Sequence, residues 1–136
     1  MPDSSPSLTL VVPVYNGATF LRGTLSKCWQ WLQESASRRA VELLVVDDGS
    51  SDGTAAILDE FAAAHPSTER ARVTVLHNEA NRGKGFSLRR AFLHARGEFV
   101  VFTDADLTYE LDNLDPLVAA LTNGADVAYG SRMHED

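Results

Sequence analysis

The chain has 136 residues, with 44% hydrophobic and 23% charged side chains and a formal net charge of −7. This length and composition are typical of one folded domain that buries roughly two-thirds of its unfolded surface, so we predict a single domain over residues 1–136. The acidic balance argues against nucleic acid or an anionic membrane surface as the main partner of this segment.

The N-terminal residues 1–7 are polar and contain two prolines, and we expect them to be disordered. They lack the basic start and the apolar run of a signal peptide. No apolar stretch of the chain approaches the ~20 residues that span a bilayer. The single cysteine, Cys28, permits no internal disulfide, and its place on the apolar side of a predicted helix indicates a core residue. We therefore predict a cytoplasmic segment without a membrane span, in a protein that works in the cytoplasm or at the cytoplasmic face of a membrane.

Strand-like and helix-like segments alternate along the chain. The predicted strands cover residues 8–14, 41–46, 73–76, 99–102 and 126–129, and the predicted helices cover 18–34, 54–64, 86–95 and 112–121. The strands are apolar on both faces, which is typical of a parallel sheet with helices on both sides. The connection rules for such sheets predict the strand order 3-2-1-4, with the first strand inside the sheet.

An acidic turn with two glycines follows the second predicted strand, with the sequence D-D-G-S-S-D-G-T at residues 47–54. The glycines permit tight backbone turns, and Ser51 or Asp52 is suited to cap the next helix. Capping does not explain Asp47 and Asp48, two adjacent carboxylates at the end of a buried strand. One of them can accept hydrogen bonds from a ribose hydroxyl or a base N–H, as acidic residues do in dinucleotide-binding folds.

A basic loop with two glycines, N-R-G-K-G at residues 81–85, opens the third predicted helix. It matches neither the phosphate-binding P-loop nor the dinucleotide-binding fingerprint. It is therefore either an ordinary surface loop or a cradle for an anion at a helix N-terminus. The four histidines, at positions 65, 77, 94 and 134, lack the spacing of metal ligands, and we assign them no role.

Two carboxylates, Asp104 and Asp106, follow the fourth predicted strand in the sequence T-D-A-D. The simplest explanation of such a pair is a solvated acidic turn. Their position after a buried strand, facing the acidic turn at 47–54, favours a site for a hard divalent cation at the edge where open α/β sheets bind ligands. Mg²⁺ or Mn²⁺ also binds phosphate oxygens, which would reconcile an anionic ligand with an acidic protein.

In order and spacing these motifs resemble those of glycosyltransferase family 2, whose GT-A fold is a Rossmann-like α/β fold. The resemblance covers nearly the whole chain and rests on V-V-P-V-Y-N at 11–16, D-D-G-S-S-D-G-T at 47–54, N-R-G-K-G at 81–85, A-R-G-E at 95–98, T-D-A-D-L-T at 103–108 and G-S-R at 130–132. Within the family, the details are most similar to the polyprenyl-phosphate hexose synthases, such as the dolichyl-phosphate mannose and glucose synthases.

The resemblance implies a role for each matching residue. The nucleotide-sugar-binding residues would be Pro13, Tyr15, Asn16, Asp47, Asp48, Lys84, Asp104 and Arg132, the last reaching a phosphate. Asp104 and Asp106 would be the catalytic and metal-binding pair, with Asp106 holding the Mg²⁺ or Mn²⁺ that bridges the diphosphate. Two positions depart from the family's pattern. Gly17 stands where Glu is frequent, and Thr108 stands where Gln is frequent, so the third metal ligand is unassigned.

The implied activity is inverting transfer of a hexose from a nucleotide diphospho-sugar, a UDP- or GDP-sugar, to an acceptor such as a polyprenyl phosphate. Family members continue beyond G-S-R with an acceptor-binding region, so we expect only the donor-binding half here, with little or no activity of its own. Two alternatives are a nucleotide-sugar-binding module without catalysis and a phosphatase of the haloacid dehalogenase type, whose D-x-D-x-[TV] motif residues 104–108 also match. The donor base, the sugar, the choice of metal and the oligomeric state are left open.

Overall fold

The computed structural model describes residues 7–107 and 110–130; residues 1–6, most of the segment expected to be disordered, lie outside this range. Four parallel strands form one sheet: β1 (Leu8–Val14), β2 (Val41–Asp47), β3 (Ala71–His77) and β4 (Phe99–Phe102). Their order is β3-β2-β1-β4, and β1 pairs with both β2 and β4. The predicted strand order and the interior position of the first strand are confirmed.

Helices connect the strands. They are α1 (Leu21–Ala36), α2 (Thr54–Ala64), α3 (Lys84–His94) and, after a 3₁₀ turn (Leu111–Leu114), α4 (Asp115–Thr122). The first of them begins later than predicted. The N–H groups of Gly17 and Ala18 donate to the side chains of Thr54 and Asp52, so this stretch is a turn fastened to the start of α2. Apolar spacing alone could not reveal that contact.

Alternate residues of each strand face opposite layers, as the pleat of a strand requires. In β1, Leu10 and Val12 lie in a large core with α1, α2 and α4, whereas Val11 lies in a smaller core beneath α3. In β2, Val45 belongs to the large core and Val46 to the small one. Helices therefore cover both faces of the sheet, as predicted, and the same alternation assigns each residue just beyond a strand end to one face.

The predicted fifth strand is wrong. Residues 126–129 form no strand within the described stretch 110–130, and the side chains of Val127 and Tyr129 are 80% and 82% exposed. β-branched and aromatic side chains favour a strand because they pack well on a half-buried pleated surface, which is a property of context more than of the backbone. Val127 and Tyr129 have the residue types of a strand without that packing.

Two expectations concern Cys28 and membrane insertion. Cys28 is fully buried in the large core, and burial raises the pKa of its thiol to about 12, as suits an inert core residue. Within the range that the structure describes, every helix is too short or too polar to cross a bilayer.

Candidate functional site

The carboxyl ends of the strands carry most of the polar residues singled out in the sequence. Val14, Asp47 and His77 are register partners across β1, β2 and β3. Because side chains alternate, Asp47 faces the layer of α2, where it meets His77, and Asp48 faces the layer of α3. The two adjacent aspartates therefore lie in different environments.

A cavity of about 200 Å³ lies on the α3 side of this edge. It is lined by Pro13, Val14, Tyr15, Asp48, Lys84, Ser87 and Asp104. The structure thus gathers Pro13, Tyr15, Asp48, Lys84 and Asp104, which the sequence nominated separately. The remaining predicted residues Asn16, Asp47 and Asp106 do not line this cavity, and Arg132 lies outside the described residues. A larger cavity of about 470 Å³ lies between α1 and α2, but its mainly apolar lining includes none of the motif residues.

The Asp48 carboxylate holds the basic loop in place. Its Oδ1 accepts hydrogen bonds from Asn78 Nδ2 at 2.9 Å and from the N–H of Arg82 at 2.8 Å, and its Oδ2 accepts one from the N–H of Gly83 at 2.9 Å. Burial raises the pKa of Asp48, but these hydrogen bonds outweigh burial and leave the pKa below its ordinary value. The N–H groups of Arg82 and Gly83, just before α3, are bound by Asp48 and are therefore not open to an anion, as the cradle alternative would require.

Gly49 allows the basic loop to approach. It has a φ of +69°, and a Cβ at this position would lie 2.4 Å from the Ala80 carbonyl carbon and 2.5 Å from the Asn81 nitrogen. Glycine is the one residue that tolerates both the left-handed backbone and the close contact. Asp48 binds the loop and Gly49 makes room for it, so this D-G pair sets the position of α3's first residue, Lys84.

Lys84 reaches Asp104 from the N-terminus of α3. Its Nζ lies 2.5 Å from Asp104 Oδ1 and 5.7 Å from the centre of the Phe102 ring. Both charged side chains are about half exposed, at 53% and 50%, so the ion pair contributes at most about 1 kcal/mol. A pair this weak is readily exchanged for a charged ligand. Phe102 was missed in the sequence, although alternation from Asp104 places it on the same face.

Ala105 anchors the turn that carries the paired carboxylates. It is buried in the large core, and its carbonyl accepts a hydrogen bond from Thr24 Oγ1 at 2.6 Å. Leu107 has a left-handed φ of 50° and donates its N–H to the Asp104 carbonyl at 3.0 Å. Such a conformation costs a branched residue of order 1–3 kcal/mol, which the packing of Leu107 against the core offsets. With Ala105 held inward, Asp104 and Asp106 are left exposed.

The donor set suits a hard divalent cation that shares its ligands with a substrate. Asp104 and Asp106 offer carboxylate oxygens from a single turn. No three ligand-type side chains gather around one point within the described residues, so the two acidic turns do not combine into one cluster; Thr108 lies outside that range. Mg²⁺ is usually held by one or two carboxylates together with substrate phosphates and waters, and this pair fits that pattern.

Asp47 is bound on the other face of the sheet. Its Oδ1 accepts a hydrogen bond from the N–H of Ser50 at 3.0 Å, and its Oδ2 lies 3.0 Å from His77 Nδ1. The other ring nitrogen of His77 lies 2.9 Å from Asp59 Oδ1. Sequence reasoning gave His77 no role, although its place directly after the third predicted strand was an available signal; its register with Asp47 is visible only in the structure.

Asn16 ties the turn after β1 to the acidic turn after β2. Its N–H donates to Ser50 Oγ at 2.9 Å, and its side-chain oxygen accepts the N–H of Ser51 at 2.8 Å. The predicted N-cap of α2 is wrong, because Gly53 occupies that position and makes no side-chain cap hydrogen bond; Asp52 instead accepts the N–H of Thr54, the first helical residue, at 2.9 Å. The acidic motif at residues 47–54 therefore serves largely to connect the turn after β2 to the turn after β1 by hydrogen bonds. Asn16, which makes these bonds, supports the cavity wall next to Tyr15.

Known proteins resemble this chain along most of its length. The family described as Glycosyl transferase family 2 matches residues 9–136. A dolichyl-phosphate beta-glucosyltransferase of Trichomonas vaginalis is 34% identical over 134 residues, covering 93% of this chain and 38% of the relative. A polyprenol monophosphomannose synthase of Mycolicibacterium smegmatis is 41% identical over 95 residues, covering 68% of this chain and 34% of the relative.

Solved structures share the fold. The mannosyltransferase PcManGT from Pyrobaculum calidifontis, in complex with GDP-Man and Mn²⁺, superposes with a TM-score of 0.69 at 34% identity, covering 93% of this chain and 35% of that chain. The predicted α/β fold class is confirmed. The chain spans well under half the length of each of these relatives, and the phosphatase alternative finds no support among them.

Proposed function

Because this chain belongs to glycosyl transferase family 2, we propose that it is the donor-binding part of a metal-dependent, inverting enzyme that moves a hexose from a UDP- or GDP-sugar to a polyprenyl phosphate. One observation carries the proposal: the cavity in which Pro13, Tyr15, Asp48, Lys84 and Asp104 meet. Since the chain spans well under half of its relatives' length, the donor, the acceptor and the activity of the whole protein are part of this proposal.

The nucleoside end of the donor would lie between Tyr15 and Asp48. Tyr15 is 49% exposed and offers a ring face to a base or a ribose. Asp48 has a lowered pKa, so it is ionised at neutral pH and can accept a further hydrogen bond from a base N–H or a sugar hydroxyl. The cavity of about 200 Å³ is smaller than the ~300 Å³ at which ligand pockets usually begin. Only part of the donor would enter it, and the diphosphate would lie at its mouth.

The diphosphate would meet Lys84 and the paired carboxylates. Asp104 and Asp106 would hold Mg²⁺ or Mn²⁺, which when bound neutralises the diphosphate oxygens and the departing nucleoside diphosphate. Lys84 would exchange its contact with Asp104 for a phosphate oxygen of the donor. The cation held by Asp104 and Asp106, together with the charge of Lys84, would thereby allow a protein with a net charge of −7 to bind an anionic ligand.

A lipid-phosphate acceptor suits this chemistry. A phosphate monoester has a second pKa of about 6 and is largely dianionic at neutral pH, so its oxygen can attack the sugar from the face opposite the leaving group without a protein base. The names of two relatives, a dolichyl-phosphate beta-glucosyltransferase and a polyprenol monophosphomannose synthase, support the same class of acceptor. The complex of PcManGT with GDP-Man and Mn²⁺ supports the donor class and the divalent cation.

Calorimetric titration tests the donor site. UDP and GDP are each titrated with Mn²⁺, with Mg²⁺ and with a chelator, and we expect binding of one nucleotide to depend on the cation. Lys84→Met should weaken that binding about tenfold, because one charged hydrogen bond to phosphate is lost. Lys27→Met, which alters an exposed lysine of α1, is the matched control. Equal binding by the two lysine variants, or no nucleotide binding at all, would contradict the proposal.

A second reading is a binding module that holds the donor without transferring sugar. The observation in its favour is the short share of the relatives' length that the chain spans. A transfer assay with a short polyprenyl phosphate, run on protein already shown to bind nucleotide, tests the module. Transfer would exclude it, whereas metal-dependent binding without transfer is expected of the donor-binding part of an enzyme as well.

A further inference from the structure

His77 bridges two carboxylates beside the proposed nucleotide site, on the face of the sheet opposite the cavity. Its Nδ1 lies 3.0 Å from Oδ2 of Asp47 on β2, and its Nε2 lies 2.9 Å from Oδ1 of Asp59 on α2. The Asp47 side chain is 4% exposed, that of His77 is 38% exposed, and that of Asp59 is 68% exposed. The bridge thus runs from solvent to a buried carboxylate at the end of a central strand.

The protonation state of the imidazole decides whether its contacts with Asp47 and with Asp59 are both favourable. A neutral imidazole has one N–H and one lone pair, whereas an imidazolium has two N–H donors. An ionised carboxylate only accepts hydrogen bonds. Both contacts are therefore satisfied together only by the imidazolium, and the neutral ring must leave one lone pair facing a carboxylate.

We propose that His77 acts as a charged positioning residue, which holds Asp47 and through it the turn at residues 47–50 in the conformation that builds the nucleotide site. The functional consequence rests on the proposed donor binding; the charged bridge itself does not. His77 contacts neither the cavity nor the paired carboxylates of the proposed metal site.

Two hydrogen bonds connect the bridge formed by Asp47, His77 and Asp59 to residues beside the cavity. The second oxygen of Asp47 accepts the N–H of Ser50, and Ser50 Oγ accepts the N–H of Asn16. Asn16 directly follows Tyr15, and Asp47 directly precedes Asp48, so both cavity residues are bonded neighbours of residues that the bridge holds. A change at Asp47 is thereby carried to two walls of the cavity.

The charged groups near His77 act in opposite directions. Asp47 from β2 and Asp59 from α2 contact the ring and favour its charged form, whereas Arg90 from α3 is a cation whose Nη1 donates to the His77 carbonyl at 2.8 Å. Burial lowers the pKa of His77, but the hydrogen bonds and charges of Asp47 and Asp59 outweigh it and raise the pKa above the ordinary value of 6.5. The bridge therefore stabilises the fold fully below that ordinary value, and the contribution is lost as the pH rises through the raised pKa.

Nitrogen NMR of the histidine rings measures the protonation of His77 without any ligand. In a titration from about pH 5 to about pH 9, we expect the ring of His77 to keep its second proton to a pH above the ordinary pKa of 6.5. A His77 ring that loses its second proton at or below the ordinary pKa of 6.5 would overturn the proposal whatever the protein binds.

Nucleotide affinity, followed over the same range by calorimetry, tests the effect on the site. In the wild-type protein we expect affinity to fall by roughly tenfold as His77 loses its proton, the change for one charged hydrogen bond. Asp59→Asn should abolish this fall and keep the affinity, because the new amide can donate to Nε2 and leave the single ring N–H for Asp47. The ionisation of the nucleotide itself is common to both proteins.

Replacement of the His77 side chain tests whether the pH dependence of nucleotide affinity comes from this ring. His77→Asn removes the titrating ring, so we expect a nucleotide affinity that does not fall at high pH. His94→Asn, the matched control, should keep the wild-type profile. A wild-type pH profile in Asp59→Asn or in His77→Asn would overturn the proposal. If no variant and no wild-type sample binds nucleotide, the proposed function fails, and the NMR titration still decides the state of His77.

Discussion

At the scale of single residues, neighbours in the sequence have separate tasks because strand side chains alternate. Asp48 faces α3 and binds the backbone of the basic loop, and Asp47 faces α2 and binds His77. Asp104 faces Lys84, whereas Ala105 is turned into the core. Each motif thus contributes one residue toward the cavity and one residue to the scaffold that holds it.

Asp48→Asn tests the loop contact. The amide keeps the size of the side chain but turns one acceptor oxygen into a donor that faces an N–H group, so we expect a loss of about 1–3 kcal/mol in the free energy of unfolding. Urea denaturation at neutral pH measures it, with Asp112→Asn, an exposed aspartate, as the control. An unchanged midpoint would show that the loop does not depend on this carboxylate.

The stability that Asp48→Asn removes should depend on pH, because the pKa of Asp48 is lowered in the folded protein. A carboxylate whose native pKa is depressed contributes stability that is present above its unfolded pKa of about 3.9 and is lost as the pH falls through the native value. The difference between wild type and Asp48→Asn should therefore be constant near neutral pH and shrink in acid below about pH 4. A difference that grows in acid would contradict the assignment.

Asp106→Asn tests the proposed metal ligand. The change keeps the shape of the side chain but removes one carboxylate charge, so nucleotide binding should largely lose its dependence on Mn²⁺. Nucleotide and cation are expected to raise each other's affinity by the same factor, and both titrations should report the loss. Asp112→Asn serves again as the control. An unchanged Mn²⁺ dependence in Asp106→Asn would remove Asp106 from the site.

At the scale of elements, α3 owes its position to the turn that follows β2 and not to its own apolar face alone. Ser87 and Ala91 are its two buried residues, while Phe86, Phe92 and Leu93 remain exposed. The contact of Asp48 with the N–H groups before the helix and the close approach of the loop to Gly49 supply the missing constraint.

Gly49→Ala tests this close approach. The substitution combines a left-handed φ with a clash against the backbone of Ala80, so we expect a loss of about 3 kcal/mol or more in the free energy of unfolding. Gly124→Ala is also strained, at a φ of +106°, but meets no atom within 4 Å, so we expect the smaller loss of about 1–3 kcal/mol that backbone strain alone costs. Denaturant titration measures the free energy of unfolding of both variants, and the difference between the two losses reports the clash with the backbone of Ala80. Equal losses would show that the loop can move away.

At the scale of the whole molecule, one buried carboxylate joins all four strands. Glu42 on β2 accepts hydrogen bonds from Thr9 of β1, from Thr74 of β3 and from the N–H of Arg96, just before β4. The N–H of Gly97 donates to Thr9 Oγ1, and a Cβ on Gly97 would lie 2.6 Å from the Thr9 nitrogen. The A-R-G motif, which the sequence resemblance left without a role, is the entry of β4 into the sheet.

Glu42→Gln tests this junction. An amide in place of the carboxylate directs donors at donors in a buried site, so we expect a loss of about 1–3 kcal/mol in the free energy of unfolding. The measurement is denaturant unfolding, with the exposed Glu79→Gln as the control. A variant as stable as the wild type would mean that packing alone sets the strand order.

Much of the fold follows from local patterns. The apolar runs at Leu8–Val14 and Phe99–Phe102 gave strand bounds that the structure reproduces, because a strand buried on both faces is visible in composition alone. The start of α1 and the missing fifth strand did not follow, since each depends on what a segment touches in space. For Gly17 that contact is Thr54, distant in sequence.

The sequence by itself determined the parallel sheet, its strand order and the chemistry of its carboxyl edge, because hydrophobic period and residue type are local properties. Only the tertiary structure decided which partner each side chain at the carboxyl edge of the sheet contacts. It placed Asp48 with the loop at Arg82 and Gly83, gave Asp47 to His77, and set Lys84 against Asp104. Each of these contacts joins residues that lie at or beyond the ends of different strands. The partner of a side chain at the end of one strand therefore depends on where the neighbouring strands end.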